Sequence, residues 1–267
     1  MNRLERCLHR LKADNHKALV SYIVNGDPNP SVTQAALHAL VDNGVDIIEL
    51  GVPFSDPMAE GSIIQLGHER ALSHNVSLSD TLETVASFRQ RNQQTPLVLM
   101  GYANPIERMG YAVFADKAAA AGVDGVIIVD LPPEEAIRLN HELKRVGIDM
   151  IFLLAPNTTP TRIQEIVSIA TGFIYYVALK GVTGAGHLNT DSVKHKLTEI
   201  RQYTDLPICV GFGIKDAKGV QAVTKYADGA VIGSILVDKM GSLSTENSET
   251  IASAIGEMVK NIRQELD

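Results

Sequence analysis

Short runs of consecutive apolar residues recur along the chain, and the longer segments between them have apolar positions at helical spacing. A run that is apolar at every residue, rather than at every second one, is typical of a parallel strand buried on both faces. The spacing i, i+3, i+4 over residues 134–146 and 162–170 predicts amphipathic helices there. The apolar runs predict eight strands, at residues 18–23, 47–50, 97–100, 126–129, 150–154, 173–177, 208–210 and 230–232.

A glycine ends the helical segment before three of the predicted strands, at Gly44, Gly122 and Gly147. Each is suited to the left-handed conformation that stops a helix, which other residues adopt only with strain. Helix, glycine stop and strand alternate without a linker or low-complexity stretch. This alternation predicts an α/β protein, a single (β/α)8 TIM barrel over residues 1–267 with an extra helix at the N-terminus. A doubly wound sheet is the alternative, but no early G-x-G-x-x-G sequence opens a helix.

The composition suits one large core, since 45% of the 267 residues are hydrophobic and 21% are charged. The formal net charge is -7 and no basic cluster occurs, which argues against nucleic acid or an anionic membrane as a partner. No apolar run approaches the roughly 18 residues of a membrane span, and the first residues predict a polar helix rather than a secretory signal. We interpret Cys7 and Cys209 as buried structural residues, which favours the reducing cytoplasm.

Two acidic residues stand out at the end of the second predicted strand and in the loop after it, Glu49 and Glu60. A buried strand that ends in an acid is costly unless the acid is paired or used. Glycine and proline residues exclude regular structure in the loop that carries Glu60. Two acids that meet over one pocket suit general acid–base chemistry. Two alternatives stay open: a core acid held by a basic neighbour for Glu49, and a solvated loop acid for Glu60.

Polar and glycine-rich segments follow other predicted strands as well, at the end where barrels carry their active sites. Residues 211–216 and 232–234, after strands seven and eight, contain glycines whose backbone N–H groups predict a phosphate site. Residues 180–186, with three glycines, predict a mobile lid that joins this site. Ordinary turns and a passive loop are the alternatives. Asp130 is predicted to cap the helix that follows it, and the scattered histidines predict no metal site.

Six motifs follow one another in order over nearly the whole chain, at residues 48–57, 100–105, 130–135, 152–156, 181–184 and 211–214. They resemble the motifs of the tryptophan synthase alpha subunit family. The resemblance implies a barrel lyase of tryptophan biosynthesis. Such a lyase cleaves indole-3-glycerol phosphate to indole and glyceraldehyde 3-phosphate by a retro-aldol step.

The same resemblance implies the cofactors and partners. The chain is expected to need no cofactor of its own. It is expected to work in the cytoplasm with a beta subunit that carries pyridoxal phosphate and takes the indole, in an α2β2 heterotetramer. Two alternatives stay open: a catalytically weak alpha-like subunit that mainly activates the beta subunit allosterically, and a stand-alone lyase that releases indole.

Residue roles follow from the resemblance by position. It implies that Glu49 protonates C3 of the indole and helps to remove the glycerol hydroxyl proton. It implies that Glu60 binds the indole N–H, although Asp is usual at this position, and that Tyr175 is a further catalytic residue. The other implied contacts are Gly184, Gly213, Gly233 and Ser234 with phosphate, Tyr22, Met100, Tyr102, Ile127, Thr183 and Phe212 in the indole pocket and lid, and Asp56 and Asn104 with the beta subunit.

Overall fold

The computed structural model describes residues 1–178, 190–211, 213–214 and 216–266. Eight parallel strands close into a barrel in which every strand pairs with its neighbours in chain order, and the last strand pairs with the first. The predicted (β/α)8 barrel is therefore confirmed, and each strand end lies within one residue of its predicted position. The strands are β1 (Ala18–Val24), β2 (Ile47–Gly51), β3 (Leu97–Gly101), β4 (Gly125–Ile128), β5 (Asp149–Leu154), β6 (Ile174–Val177), β7 (Ile208–Gly211) and β8 (Gly229–Ile232).

Twelve helices occur in the described parts of the chain. They are α1 (Arg3–Ala13), α2 (Pro30–Asp42), α3 (Ser62–Ser73), α4 (Leu78–Arg91), α5 (Ala103–Met109), α6 (Tyr111–Ala121), α7 (Pro133–Arg145), α8 (Pro160–Ile169), α9 (Thr190–Ile200), α10 (Ala217–Thr224), α11 (Ser234–Ser242) and α12 (Ser248–Gln264). The predicted extra helix is α1, and the two helices predicted from spacing are α7 and α8, with ends shifted by one or two residues. None of these helices is long and apolar enough to cross a membrane.

The three glycines that were predicted to stop helices all have positive backbone φ angles. The values are 102° for Gly44, 92° for Gly122 and 76° for Gly147. Glycine adopts this region readily because it has no Cβ. The prediction of three glycine stops is confirmed.

Strand residues alternate between an inner core, inside the barrel, and an outer core, between the barrel and its helices. On β1, Val20 and Tyr22 belong to the inner core, and Leu19 and Ile23 belong to the outer one. Successive side chains of a strand point to opposite faces, so this alternation fixes which of them reach the barrel interior.

Helix α1 packs its apolar face against the inner core of the barrel. Cys7 of α1 and Cys209 of β7 are both buried and free, which confirms the prediction that they are buried residues without a disulfide. The helix is also held by its first residues. The Asn2 side chain donates to Asp149 Oδ2 over 2.6 Å, and Arg3 reaches a buried ion pair beside β4.

That ion pair centres on the Asp124 carboxylate, which is almost fully buried. It accepts from Arg89 Nη2 at 2.7 Å, from Arg3 Nη1 at 3.0 Å and from the backbone N–H of Leu97 at 2.9 Å. Buried charges are tolerated when they are paired and hydrogen-bonded in this way. Asp124 therefore joins α1, α4 and the start of β3 at the amino-terminal end of the barrel.

We predict that Asp124→Ala lowers the free energy of unfolding by about 3–5 kcal/mol, because it leaves the buried Arg89 guanidinium without its counterion. The matched control is Asp116→Ala, since Asp116 pairs with Arg145 at 2.7 Å but both side chains are exposed. Loss of such a surface pair costs less than about 1 kcal/mol. Urea unfolding of the two variants measures the difference, and equal losses would contradict the role given to burial.

Candidate active site

Glu49 lies on β2 with its side chain inside the barrel. Its neighbours Ile48 and Leu50 belong to the outer core, so strand alternation directs Glu49 inward, in register with Tyr22 of β1. The residue is fully buried, and neither carboxyl oxygen has a hydrogen-bond partner among the described residues. No basic side chain among the described residues therefore holds Glu49, and for these residues the alternative of a core acid held by a basic neighbour is wrong.

The pKa of Glu49 is shifted strongly upward. Burial disfavours the charged form, and the nearby Glu60 carboxylate adds repulsion; together they raise the pKa from 4.5 to about 8. The carboxyl group therefore keeps its proton at neutral pH. A residue in this state can donate a proton and take it back, which is what a general acid–base requires.

Glu60 lies in the loop between β2 and α3, directly before Gly61. It is buried, with 8% of its surface exposed, so the alternative of a solvated loop acid is wrong. The Tyr22 hydroxyl donates to Glu60 Oε2 at 2.7 Å, and His68 Nε2 lies 3.4 Å from the same oxygen. Oε1 is buried and has no hydrogen-bond partner in the described structure. Glu60 thus offers one occupied and one unoccupied acceptor oxygen.

The two acids line one cavity of about 280 Å³ at the carboxyl end of the strands. Apolar side chains on β3, β5, β6, β8 and α3, and directly after β4 and β7, form most of its wall. The predicted site residues that line it are Tyr22, Glu49, Glu60, Met100, Tyr175, Gly213, Gly233 and Ser234. Three other predicted residues, Thr183, Gly184 and Phe212, and the whole predicted lid at residues 180–186 lie outside the described residues.

Two predicted pocket residues, Tyr102 and Ile127, are absent from the described lining of this cavity. Ile127 is fully buried deeper in the inner core. The Tyr102 hydroxyl accepts the backbone N–H of Ala59 at 3.3 Å, and its ring stacks on Phe54 with centroids 4.8 Å apart. Tyr102 thus supports the loop that carries Glu60.

Tyr175 lies on β6 and its ring forms part of the cavity wall. The neighbouring Gly211 on β7 makes room for it, because a Cβ at Gly211 would overlap the Tyr175 hydroxyl. Burial, followed by the charges of Glu49 and Glu60, raises the pKa of Tyr175 well above 10. The hydroxyl therefore stays protonated and available as a donor beside the two acids.

Glycines after β7 and β8 also line the cavity. Gly213 has a φ of 82°, a conformation that favours glycine. Gly233 precedes α11, so the first backbone N–H groups of that helix, beginning with Ser234, lie at the cavity. Free N–H groups and the helix dipole at such an end favour an anion.

The two predicted partner contacts, Asp56 and Asn104, are both exposed and both follow strands at the carboxyl end of the barrel. Asp56 follows β2 in the Glu60 loop, and Asn104 lies in the first turn of α5. The Ser55 hydroxyl donates to Asp56 Oδ2 at 2.5 Å. Each residue is therefore accessible to a second chain.

Asp130 does not cap the following helix, so that prediction is wrong. Its Oδ1 accepts the backbone N–H of Ala103 at 2.8 Å, at the start of α5 on the adjacent βα unit. Helix α7 begins after Pro132 without a side-chain cap. Pro132 and Pro133 have no N–H, which removes donors that a cap would otherwise satisfy.

His68 is the residue of this site that the sequence pattern did not single out. It lies on α3, where Ile64, Gly67, His68 and Ala71 form the buried face. The available signal was a histidine at a core position of an amphipathic helix, eight residues after Glu60. It supports no metal centre, since no group of three or more His, Cys, Asp or Glu side chains in the described chain could hold a metal ion.

The fold and the cavity define a class: (β/α)8-barrel enzymes that carry out acid–base chemistry on an apolar substrate with an anionic end. The chain belongs to the tryptophan synthase alpha chain family, whose sequence profile matches residues 8–266. This family cleaves indole-3-glycerol phosphate to indole and glyceraldehyde 3-phosphate in tryptophan biosynthesis, so the chain is a lyase of that family. The family needs no cofactor of its own, and membership implies a beta-subunit partner.

Individual relatives match the whole length of the chain. The tryptophan synthase alpha chain of Methylococcus capsulatus is 49% identical and that of Chromobacterium violaceum is 50% identical, with 100% and 98% of this chain covered and 100% of each relative. A crystal structure of tryptophan synthase subunit alpha from Legionella pneumophila superposes with a TM-score of 0.91 at 39% identity. That comparison covers 100% of this chain and 99% of the other.

We predict that Glu49 makes the folded state less stable as the pH rises. The unfolded chain ionises Glu49 near its ordinary pKa of 4.5, whereas the folded chain holds the proton up to about pH 8. Because the folded state binds more protons in this window, Glu49 lowers the free energy of unfolding by up to about 1.4 kcal/mol per pH unit.

The measurement is urea unfolding of the parent and of Glu49→Gln, which cannot ionise, at several pH values between these limits. The stability of Glu49→Gln relative to the parent should increase steadily with pH. A difference that stays constant across the window would contradict an unpartnered, buried Glu49.

Proposed function

We propose that Glu49 and Glu60 together carry the retro-aldol cleavage in this chain. The observation that supports this most is their pairing in one apolar cavity, one as a protonated acid without a partner and the other as a carboxylate with a free oxygen. Indole is a poor carbon leaving group unless C3 is protonated. The reaction therefore needs an acid at C3 and an acceptor at the ring nitrogen, where positive charge develops.

In the proposed cycle Glu49 both donates a proton and takes one back. In the first step the neutral carboxyl group transfers its proton to C3, and the ring electrons form the new C–H bond. In the second step the resulting carboxylate removes the proton from the hydroxyl next to the scissile bond. The C–C bond then breaks, its electron pair restores the indole ring, and the hydroxyl carbon becomes the aldehyde. Glu49 ends the cycle protonated, as it began.

Glu60 stabilises the intermediate of this cycle. Its free Oε1 accepts the ring N–H, and the interaction strengthens as C3 protonation makes the nitrogen positive. The mostly apolar lining of the cavity increases the effect of this charge. Tyr175, protonated beside both acids, is proposed as a further donor to the reacting glycerol portion.

The phosphate is proposed to bind at Gly213, Gly233 and Ser234, with Gly184 as a further contact. The N-terminus of α11 and the left-handed turn at Gly213 support this assignment. Phosphate binding at this end fixes the reacting carbons between the two acids, so that remote binding energy serves the chemical step.

We propose an α2β2 assembly in which the exposed Asp56 and Asn104 contact the beta subunit. Pyridoxal phosphate belongs to that partner in this proposal, and the alpha chain acts without a cofactor. The two free, buried cysteines favour a reducing compartment, the cytoplasm. The two alternatives, a mainly allosteric subunit and a stand-alone lyase, are separated by assaying the chain with and without the beta subunit.

We predict that the isolated chain releases indole and that Glu49→Gln lowers kcat by roughly a hundredfold or more, because it removes the general acid–base. For the parent, kcat/KM should fall as the pH rises through about 8, since the free enzyme then loses the proton it donates. The matched control is Glu69→Gln, an exposed acid on α3. Appreciable turnover by folded Glu49→Gln, or a flat profile above pH 8, would exclude Glu49 as the acid.

We predict that Gly213→Val raises KM for indole-3-glycerol phosphate, because a side chain at this turn crowds the anion. Gly213 and Gly147 have φ values of 82° and 76°, so both substitutions strain the backbone similarly. Gly147→Val is therefore the matched control, since it lies before β5, at the other end of the barrel. Both should lose stability, but KM should rise only for Gly213→Val. An equal KM in the two folded variants would show that the phosphate does not bind at Gly213.

A further inference from the structure

Three buried polar side chains from different elements meet beside the cavity: Tyr22 of β1, Glu60 of the loop between β2 and α3, and His68 of α3. They are 4%, 8% and 1% exposed, respectively. The Tyr22 hydroxyl donates to Glu60 Oε2 at 2.7 Å. His68 Nε2 lies 3.3 Å from the Tyr22 oxygen and 3.4 Å from the same Glu60 oxygen.

The protonation state of His68 follows from its other ring nitrogen. The backbone N–H of Phe54 donates to His68 Nδ1 at 3.1 Å. A backbone N–H can only donate, so Nδ1 carries a lone pair, and the ring is the neutral tautomer with its proton on Nε2. The Nε2–H group therefore faces Tyr22 and Glu60 as a donor. A continuous chain of donors results, from Phe54 through His68 and Tyr22 to Glu60.

Both donors act on the same carboxylate oxygen. Oε2 receives the Tyr22 hydroxyl and faces the His68 N–H, whereas Oε1 is buried without a partner among the described residues. A carboxylate in a loop could otherwise rotate about its side-chain torsions and offer either oxygen. Two buried donors on one oxygen select one orientation.

The Tyr22 hydroxyl is itself held in a fixed place. A Cβ at Gly51 on the adjacent strand would overlap this hydroxyl, so the glycine leaves space for it. Burial first, and then the charge of Glu60, raises the pKa of Tyr22 well above 10, which keeps the hydroxyl protonated. Tyr22 thus remains a donor at neutral pH.

We infer that Tyr22 and His68 are positioning residues that hold Glu60 Oε2 and so reserve Oε1 for the ring N–H of the substrate. The inference rests on the proposed function, because it assumes that Glu60 binds this N–H. Neither residue touches the reacting atoms in this account. Their effect is on how well the site distinguishes a substrate that has a ring N–H from one that lacks it.

The test uses two uncleavable ligands, indole-3-propanol phosphate and its benzofuran counterpart, in which an oxygen atom replaces the ring N–H. Their Kd ratio measures recognition of the N–H apart from the phosphate and the ring shape. We expect the parent to prefer the indole form strongly, and Tyr22→Phe and His68→Leu to lower the preference roughly tenfold, the effect of a lost charged hydrogen bond. His68→Gln, which keeps an N–H donor, should retain more of the preference than His68→Leu.

The matched control is Tyr176→Phe, since Tyr176 is equally buried but belongs to the outer core. It should lose a hydroxyl without changing the Kd ratio. Tyr22→Phe removes one hydroxyl without changing the shape of the ring, so it gives an answer even if His68→Leu does not fold. The cleavage assay should show a lower kcat/KM for Tyr22→Phe than for Tyr176→Phe, because a weaker contact with the ring N–H lowers the affinity for both the substrate and the transition state.

The outcomes distinguish a failure of the proposed Glu60 function from a failure of the positioning network alone. If the parent itself does not distinguish the two ligands, Glu60 does not bind the ring N–H, and the proposed function of Glu60 fails together with this inference. If the parent and Tyr176→Phe distinguish them, and Tyr22→Phe and folded His68→Leu do so equally well, Glu60 keeps its proposed role but the positioning network is overturned.

Discussion

The barrel mouth depends on one constraint: two carboxyl groups share a buried, apolar cavity, and they cannot both be charged without a large cost. The two carboxyl groups lie in different surroundings. Glu60 receives donors on one oxygen, whereas Glu49 has no hydrogen-bond partner in the described chain and keeps its proton. The chemical difference between the two acids is therefore set by their surroundings, since both are glutamates.

The rest of the site supports this difference. Glycines on the neighbouring strands leave room for two tyrosine hydroxyls, Gly51 for Tyr22 and Gly211 for Tyr175. Tyr102 holds the Glu60 loop through the Ala59 N–H. The strand register brings Tyr22 level with Glu49, so the donor to one acid is supplied by the strand next to the other. A buried acid without a partner costs stability, which a barrel of this size with an extensive core can bear.

The sequence predicts the barrel well because its determinants are local. Fully apolar runs and glycine stops each act within a few residues, so all eight strands and the stops at Gly44, Gly122 and Gly147 were predicted correctly. Contacts between elements distant in sequence were harder. Asp130 accepts an N–H from the adjacent βα unit rather than from its own helix. His68 gave no sequence signal stronger than that of a core residue on a helix. Its proximity to Glu60 emerges only when α3 packs against the barrel.

The burial of Glu60 is a second feature that the local sequence does not predict. A loop acid among glycines and prolines has the local signature of a solvated residue, and only the closed barrel shows that the loop folds back over the cavity. The resemblance to the family compensated for this, because it assigned Glu60 a role by position. Physical reasoning from the sequence identified Glu49, since an acid within an apolar strand already signals an unusual environment.

The most direct test of the central claim is an infrared titration of the carboxyl groups, with the spectrum of Glu49→Gln subtracted from that of the parent. The difference isolates the Glu49 carboxyl group and reports its protonation without reference to activity. The account predicts a protonated carboxyl band at neutral pH that disappears with a midpoint near pH 8. A Glu49 carboxylate that is already ionised at neutral pH, with a midpoint near the ordinary value of 4.5, would contradict it.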